Sequence, residues 1–380
     1  MQLPAARQRF LLKIAIIGTR GIPANYGGFE TFAEECAAGL VARGHHVTVY
    51  GRSHYVSRTL KSCRGAELVV LPTLRWKYTD TVVHSLLSIL HAVPRRYDLI
   101  LICNAANSVF AWIPRILGIP VVVNVDGIER RRQKWSRLGK AYYYLGEHFS
   151  VWLPNAIVTD ARVMEQYYRD RYGASSVFIP YGAATEKPSS REALDRFGIE
   201  PEEYFLYVSR LEPENNAHLV VGAFEKVRTS KRLVIVGDAP YAKDYIRRVR
   251  STRDPRILFT GFVYGDYYRQ LQAFAFCYVH ATEVGGTHPA LLEAMGQGNI
   301  VLANGTPENR EVLQDAGLVY AMNSADDLAR QMQDVADHPE RYSRFKAAAL
   351  ERALNAYSWE SVVRQYEQLF MKLARPKKDP

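Results

Sequence analysis

The alternation of short apolar runs with helical stretches constrains this chain most, and its first fifty residues already set the pattern. Leu12-Lys13-Ile14-Ala15-Ile16-Ile17 is an apolar run of strand length. Phe29, Phe32, Ala33, Cys36, Ala37 and Leu40 then recur at helical spacing between Phe29 and Arg43, and Gly44 ends that stretch. His46 to Tyr50 reads as the next strand. A strand, a helix and a strand predict a parallel pair joined by a crossover, and hence an α/β fold. The loop between the first strand and the helix carries Gly18-Thr19-Arg20-Gly21 and Gly27-Gly28. It lacks the G-x-G-x-x-G spacing of a dinucleotide fingerprint, yet it lies at the carboxyl end of a strand, where open α/β sheets bind ligands.

Further units follow in the same style. Asp98 to Cys103 is a strand ending at Asn104, with a helix expected to about Leu117. Pro120 to Val125 is a strand ending at Asp126-Gly127, and Ile157-Val158-Thr159 is a short one before a helix through Tyr172. Asn104, Asp126 and Thr159 therefore share the strand-end face with the first glycine loop. Asp126 follows a strand directly and precedes a turn, which suits a helix cap as well as a site carboxylate. Near Pro180-Tyr181-Gly182 the pattern pauses, and the small polar residues to Ser190 read as a linker. A second series starts at Tyr204 to Val208 and runs to Leu318 to Tyr320, and Trp359 to Leu373 is a last helix. Two domains are expected, 1–183 and 184–357, with the helix 358–375 packing back on the first and a ligand cleft between them.

The 380 residues suffice for two cores. The net charge of +10 calls for an anionic partner: nucleic acid, anionic lipid or a phosphorylated substrate. Arg130, Arg131, Arg132, Lys134, Arg137 and Lys140 crowd one segment beside Trp135 and Tyr142 to Tyr144. That suits an anionic membrane surface, an anionic acceptor, a nucleic-acid backbone or a solvated helix face. Cys36, Cys63, Cys103 and Cys277 have no metal-ligand spacing and read as free thiols of a reducing compartment. No apolar run approaches the roughly 20 residues of a membrane span. Arg7, Arg9 and Lys13 around Phe10-Leu11-Leu12 imitate a signal sequence only faintly, since Lys13 interrupts the run and no small-residue cleavage site follows. The first ten residues are expected to be a tail.

The chemistry concentrates in Val284 to Gly298. A buried strand, Phe274 to Val279, precedes Gly285-Gly286-Thr287, and Pro289 takes the first position of a helix, where its missing N–H is harmless. Glycines and a hydroxyl before a helix N-terminus suit an anion, and Glu293, one turn in, suits a sugar diol. An ordinary strand-turn-helix with a glycine-rich turn reads equally well.

Ser209-Arg210-Leu211-Glu212-Pro213-Glu214, Val236-Gly237-Asp238, Thr260-Gly261-Phe262-Val263 and Leu292-Glu293-Ala294-Met295-Gly296 resemble the retaining GT-B glycosyltransferases of the large family 4. Ile17 to Pro23, Tyr26-Gly27-Gly28-Phe29-Glu30-Thr31 and Val284-Gly285-Gly286-Thr287 resemble more narrowly its bacterial rhamnosyltransferase-like subgroup. The resemblance covers nearly the whole chain. It implies two Rossmann-like parallel-sheet domains facing a central cleft, and a nucleoside-diphosphate sugar as substrate. It implies Asp126 and Arg210 as catalytic residues, Arg210 on the donor diphosphate. Glu293 would hold the nucleotide ribose and the backbone beside Phe262 the base, with Gly27, Gly28, Gly237, Gly285, Gly286 and Thr287 completing the donor site. Tyr26, Glu30, Asn104 and Arg130 would face the acceptor.

Three positions depart from the family's pattern. The first of its two glutamates, eight positions before Glu293, is Gly285 here, and Glu283 stands two residues earlier. The lysine five positions after the arginine is Asn215, and a strand-end histidine is Asp126. These changes fit a donor with fewer hydroxyls, such as rhamnose or another deoxysugar, and they also fit reduced activity. The expected activity is a retaining, metal-independent hexosyl transfer without cofactor, to a saccharide acceptor linked to polyprenyl diphosphate, in polysaccharide biosynthesis. No Asp-x-Asp pair stands beside the donor motifs. The expected place is cytoplasmic, peripheral on the inner face of the cell membrane, with no nucleic-acid partner. The rivals are a GT-B nucleotide-sugar epimerase, which needs no acceptor, and a non-catalytic GT-B scaffold of an envelope-assembly complex.

Overall fold

The computed structural model describes residues 10–374, apart from 75, 77–78, 133–134 and 240–241. Arg7, Arg9, Lys134 and the Pro376-Lys377-Lys378 tail lie outside the described residues. The described residues form two compact units. The first runs to Val125 and takes in Leu145–Val158 and the chain from Val363; the second is Asp126–Tyr144 with Thr159–Val362.

The first sheet contains β1 (Lys13–Ile17), β2 (His46–Arg52), β3 (Ser62–Cys63), β4 (Ala66–Leu71), β5 (Leu99–Cys103), β6 (Val121–Val125), β7 (Ala156–Thr159) and β8 (Val177–Phe178). Their order is β3-β4-β2-β1-β5-β6-β7-β8. β1 pairs parallel with β2 and β5, as the strand-helix-strand pattern requires, while β3 closes an antiparallel edge on β4. Leu99–Cys103 and Val121–Val125 are buried at every position. Strands covered on both faces read as such continuous apolar runs. The helix Gly28–Ala42 buries Phe32, Ala33, Cys36, Ala37 and Leu40, the face expected from spacing.

The second sheet contains β9 (Tyr204–Val208), β10 (Arg232–Val236), β11 (Ile257–Gly261), β12 (Cys277–His280), β13 (Ile300–Asn304) and β14 (Leu318–Tyr320). All its pairs are parallel, in the order β11-β10-β9-β12-β13-β14. This is the strand order of the doubly wound nucleotide-binding fold. Phe205, Phe224, Leu233, Ile235, Val279, Leu302 and Met332 anchor its core.

Packing divides the chain at other bounds than the expected ones: residues 126–144 and 159–183, expected with the first domain, group with the second unit, although β8 within them is a strand of the first sheet. Arg132 reaches Glu212 and Glu214, Thr287 bonds Asp160, and Glu311 receives the N–H groups of Arg162 and Val163. The last helix, Trp359–Leu373, divides at Val363: from there Val363 lies against Gly39, Tyr366 bonds Asn124, and Glu367 pairs with His45 and Arg43. The helix expected to run from Asn104 to Leu117 is a 3-10 turn, Ala105–Phe110, followed by a short helix, Trp112–Ile116. Asn107 donates to the carbonyls of Cys103 and Gly18, and Ser108 to those of Ala105 and Gly146, so local side-chain bonds compete with the helical ladder.

Candidate functional site

The strand order of the second sheet reverses between β9 and β12, and ligands of open α/β sheets bind at the carboxyl ends beside such a reversal. Two connections leave there. Ser209 to Glu212 follows β9, and Ala281 to His288 follows β12 before the helix Pro289–Gly296.

The glycines of the second connection have physical reasons. A Cβ on Gly285 would lie 2.3 Å from the His288 ring, and one on Gly286 would lie 2.3 Å from Asp160 Oδ1. Gly127 lies against the same turn, where a Cβ would be 2.5 Å from Gly285 Cα. The turn is pinned by Asp160. Its Oδ2 accepts from the Thr287 N–H at 2.9 Å, and its backbone carbonyl accepts from the Thr287 hydroxyl at 2.6 Å. Thr287, expected to offer these groups to a donor, thus uses both on Asp160. Gly237 is likewise explained by backbone approach: at φ +131° a Cβ would lie 1.8 Å from the Ser209 carbonyl, and its N–H donates to Gly261. Alanine there would be strained both by its backbone and by contact.

Glu293 accepts a hydrogen bond from the Tyr268 hydroxyl, which itself accepts from Gln272. Glu283 accepts from Asn323 at 2.7 Å. The two carboxylates thus answer to different neighbours. Phe262 is 40% exposed and stacks on Tyr264, with ring centroids 5.7 Å apart. Arg210 Nη1 stands 3.8 Å from Glu212 Oε2, and the Arg210 carbonyl accepts from Asn215.

Asp126 belongs to the same neighbourhood. Burial, with the adjacent Glu129 charge, pushes its carboxyl up to about 7 against the pull of Arg132 and Arg210. Asp160 is buried, and burial with the Asp126 charge raises it well above the carboxylate range. His288 is held well below its ordinary value by burial, His280, Arg132 and Arg210. Burial takes His280, whose ring lies 4.8 Å from that of His288, down to about 3. Titratable groups pushed in opposite directions around one sheet reversal are what a functional site produces. Asp160 and Arg132 escaped sequence reasoning. Asp160 stands one place beyond the residue singled out, and Arg132 was indistinguishable from its exposed basic neighbours.

The remaining candidates have other partners. Gly27 and Gly28 begin the helix Gly28–Ala42 in the first unit. Glu30 is buried, and its Oε1 accepts from the Arg20 N–H at 2.8 Å. The Arg20 guanidinium lies 3.6 Å from the centre of the Tyr26 ring. Asn104, at φ +73°, uses its side chain to cap Ala106. Arg130, in the second unit, donates to the Tyr167 hydroxyl at 2.8 Å. Cys36, Cys63, Cys103 and Cys277 are free thiols. No described helix is long and apolar enough to cross a membrane.

Residues 27–182 match the family model described as a glycosyl transferase 4-like domain, and residues 202–338 match glycosyl transferases group 1. Together the two models span more than half of the chain. Among curated proteins, the O-antigen chain mannosyltransferase B of Escherichia coli is 27% identical over 202 residues, 51% of each chain. The chain thus spans about half the length of that relative. Sucrose-phosphate synthase from Thermosynechococcus elongatus has the same fold, with a TM-score of 0.78 at 18% identity over 95% of this chain and 99% of that one. So does Anabaena HepE, solved in complex with UDP-glucose, with a TM-score of 0.78 at 16% identity over 95% and 100%.

Proposed function

We propose that this chain, which through both of its domains belongs to the glycosyltransferases of the GT-B fold, moves a sugar from a nucleoside diphosphate to a saccharide acceptor in cell-surface polysaccharide synthesis. The observation that carries the reading is the cluster at the reversal of the second sheet. There Arg210 follows the carboxyl end of β9, and the Gly285-Gly286 turn pinned by Asp160 leads from the end of β12 into the helix that carries Glu293.

In this reading the Arg210 guanidinium stabilises charge on the leaving diphosphate, and the Gly285-Gly286 turn lets the backbone come close to it. Glu293 exchanges its Tyr268 partner for the ribose diol, and Phe262 with Tyr264 flanks the base. Asp126, poised to change charge near neutrality, faces the reacting carbon. The transfer is a retaining, metal-independent one in which the leaving phosphate takes the acceptor proton. The protein's contribution is then position and charge rather than a strong nucleophile. The proposed donor sugar is rhamnose or another deoxysugar, since Gly285 and Asn215 leave fewer side chains for sugar hydroxyls. The proposed acceptor is a polyprenyl-diphosphate-linked saccharide reached at an anionic cytoplasmic membrane surface, with Arg130 and Arg131 toward the lipid.

The test is product formation. Purified protein is given UDP-, GDP- and dTDP-sugars with a short polyprenyl-diphosphate saccharide, and the products are identified by mass spectrometry. A product one hexose or deoxyhexose heavier supports transfer. An altered nucleotide sugar formed without acceptor indicates an epimerase, and nucleotide binding without any turnover indicates a scaffold.

A further inference from the structure

We propose that Arg132 is a second diphosphate-binding cation of this site, and that Glu212 is a place-holding anion between Arg132 and Arg210 that the diphosphate displaces. The inference rests on the donor-site reading above and adds to it a residue from a segment distant in sequence.

The geometry is specific. Arg132 follows the 3-10 turn Glu129–Arg131, and its side chain is only 7% exposed. It is anchored at one end, where Nε donates to Glu129 Oε1 at 2.6 Å. At the other end Nη1 is buried without a hydrogen-bond partner among the described residues. That nitrogen stands 3.9 Å from Glu212 Oε2, and Arg210 Nη1 stands 3.8 Å from the same oxygen. One carboxylate oxygen therefore lies between two guanidiniums of separate loops, close enough to attract both and too far to hydrogen-bond either at these atoms.

Such an arrangement favours a larger anion. A buried guanidinium nitrogen without a hydrogen bond is costly, and the Glu212 oxygen stands too far from Arg132 Nη1 to supply one. A diphosphate presents more charge and more oxygens, so it can bring both nitrogens to about 2.8 Å. Glu214 is buried at 0% exposure, and its Oε1 lies 3.8 Å from Arg132 Nη1. It stays behind to balance Arg132 once Glu212 moves aside. Asn215 cannot supply the charge, because it is neutral and its amide is engaged by the Arg210 carbonyl.

The test is titration calorimetry with whichever of UDP, GDP, dTDP and ADP binds the wild type tightest, alongside its parent nucleoside. Arg132→Ala is expected to weaken the diphosphate about ten- to a hundredfold, the range of a lost charged hydrogen bond, and to leave the nucleoside unchanged. Adding Asn215→Lys to Arg132→Ala should recover at least part of the loss by returning a cation from the other loop. Glu212→Gln should tighten the diphosphate several-fold, because the place-holder no longer competes. A folded Arg132→Ala that binds within twofold of wild type, while Arg210→Ala loses affinity, overturns the proposal and leaves the donor site intact. If neither arginine matters, the donor-site reading fails with it. Should Arg132→Ala not fold, a Glu212→Gln protein that binds the diphosphate no tighter than wild type overturns the proposal by itself.

Discussion

The glycine loop after β1 and the glycine turn after β12 look alike in sequence and differ in how their polar groups are used. In the first, Glu30 is buried against the Arg20 N–H, Arg20 lies on Tyr26, and Asn104 caps Ala106. Those charges hold the loop in shape. In the second, Asp160 holds the turn at one side, while Asp126, Asp160, His280 and His288 are displaced from their ordinary titration ranges. Glycines at a strand end indicate only that backbone must pass closely. Unmade bonds occur at both, at Arg20 Nε and Asn25 Oδ1 in the first and at Asp160 Oδ1 and His280 Nε2 in the second; what sets the second apart is buried carboxyls pushed up beside imidazoles pushed down.

The strongest way to break this contrast is to remove the charge expected at the transition state. Arg210→Ala should lower kcat by about two to three powers of ten, the loss seen when one charge-stabilising donor is removed. The fold should persist, as circular dichroism would show, since Arg210 is a partly exposed loop residue. Steady-state rates within twofold of wild type would remove Arg210 from the site.

Asp126 sharpens the contrast through pH. Its folded-state value of about 7 lies above the ordinary carboxylate value near 4, so folding favours the protonated form. The stability it contributes is complete below about pH 4 and is lost as pH rises through about 7. Wild-type Tm should therefore fall between about pH 4 and 8, and Asp126→Asn, neutral throughout, should fall less. The rate should rise over the same interval in wild type and lose that step in the variant. Parallel Tm curves for the two proteins would show that Asp126 titrates normally.

Much of the architecture could be read before any coordinates. The apolar runs of β1, β2, β9 and β13 and the spacing of Phe29 to Leu40 each specify one element, and the last helix begins at Trp359 as its pattern indicates. The pattern failed where side chains overrule it. Asn107 and Ser108 pull the stretch after β5 into a 3-10 turn, and no local periodicity announces those bonds. The site was legible in its residue types and not in its partners. Nothing in the run Arg130-Arg131-Arg132 shows that the third arginine alone is buried among Glu129, Glu212 and Glu214, two of them about eighty positions away. Glu30 is a conspicuous carboxylate in a glycine loop, and no local pattern announces that its partner is the Arg20 N–H ten positions back.

The smallest expected effect concerns the surface. Arg130 and Arg131 lie against Tyr167 at the edge of the second unit's basic segment, and neutralising both should weaken sedimentation with anionic vesicles only a few-fold. Screening within a Debye length should abolish the difference as salt rises. Arg132 is left out of this test because it is buried. No lipid dependence at low salt would return the segment to the role of a solvated face.

The central claim is that the turn after β12, and not the loop after β1, holds the nucleotide. Calorimetry with the tightest-binding nucleoside diphosphate on Glu293→Gln and Glu30→Gln compares the two directly. The account predicts roughly a tenfold loss for Glu293→Gln, the value of a charged hydrogen bond to a diol, and a change within twofold for folded Glu30→Gln. Undiminished affinity in Glu293→Gln, or an equal loss in both variants, would contradict it.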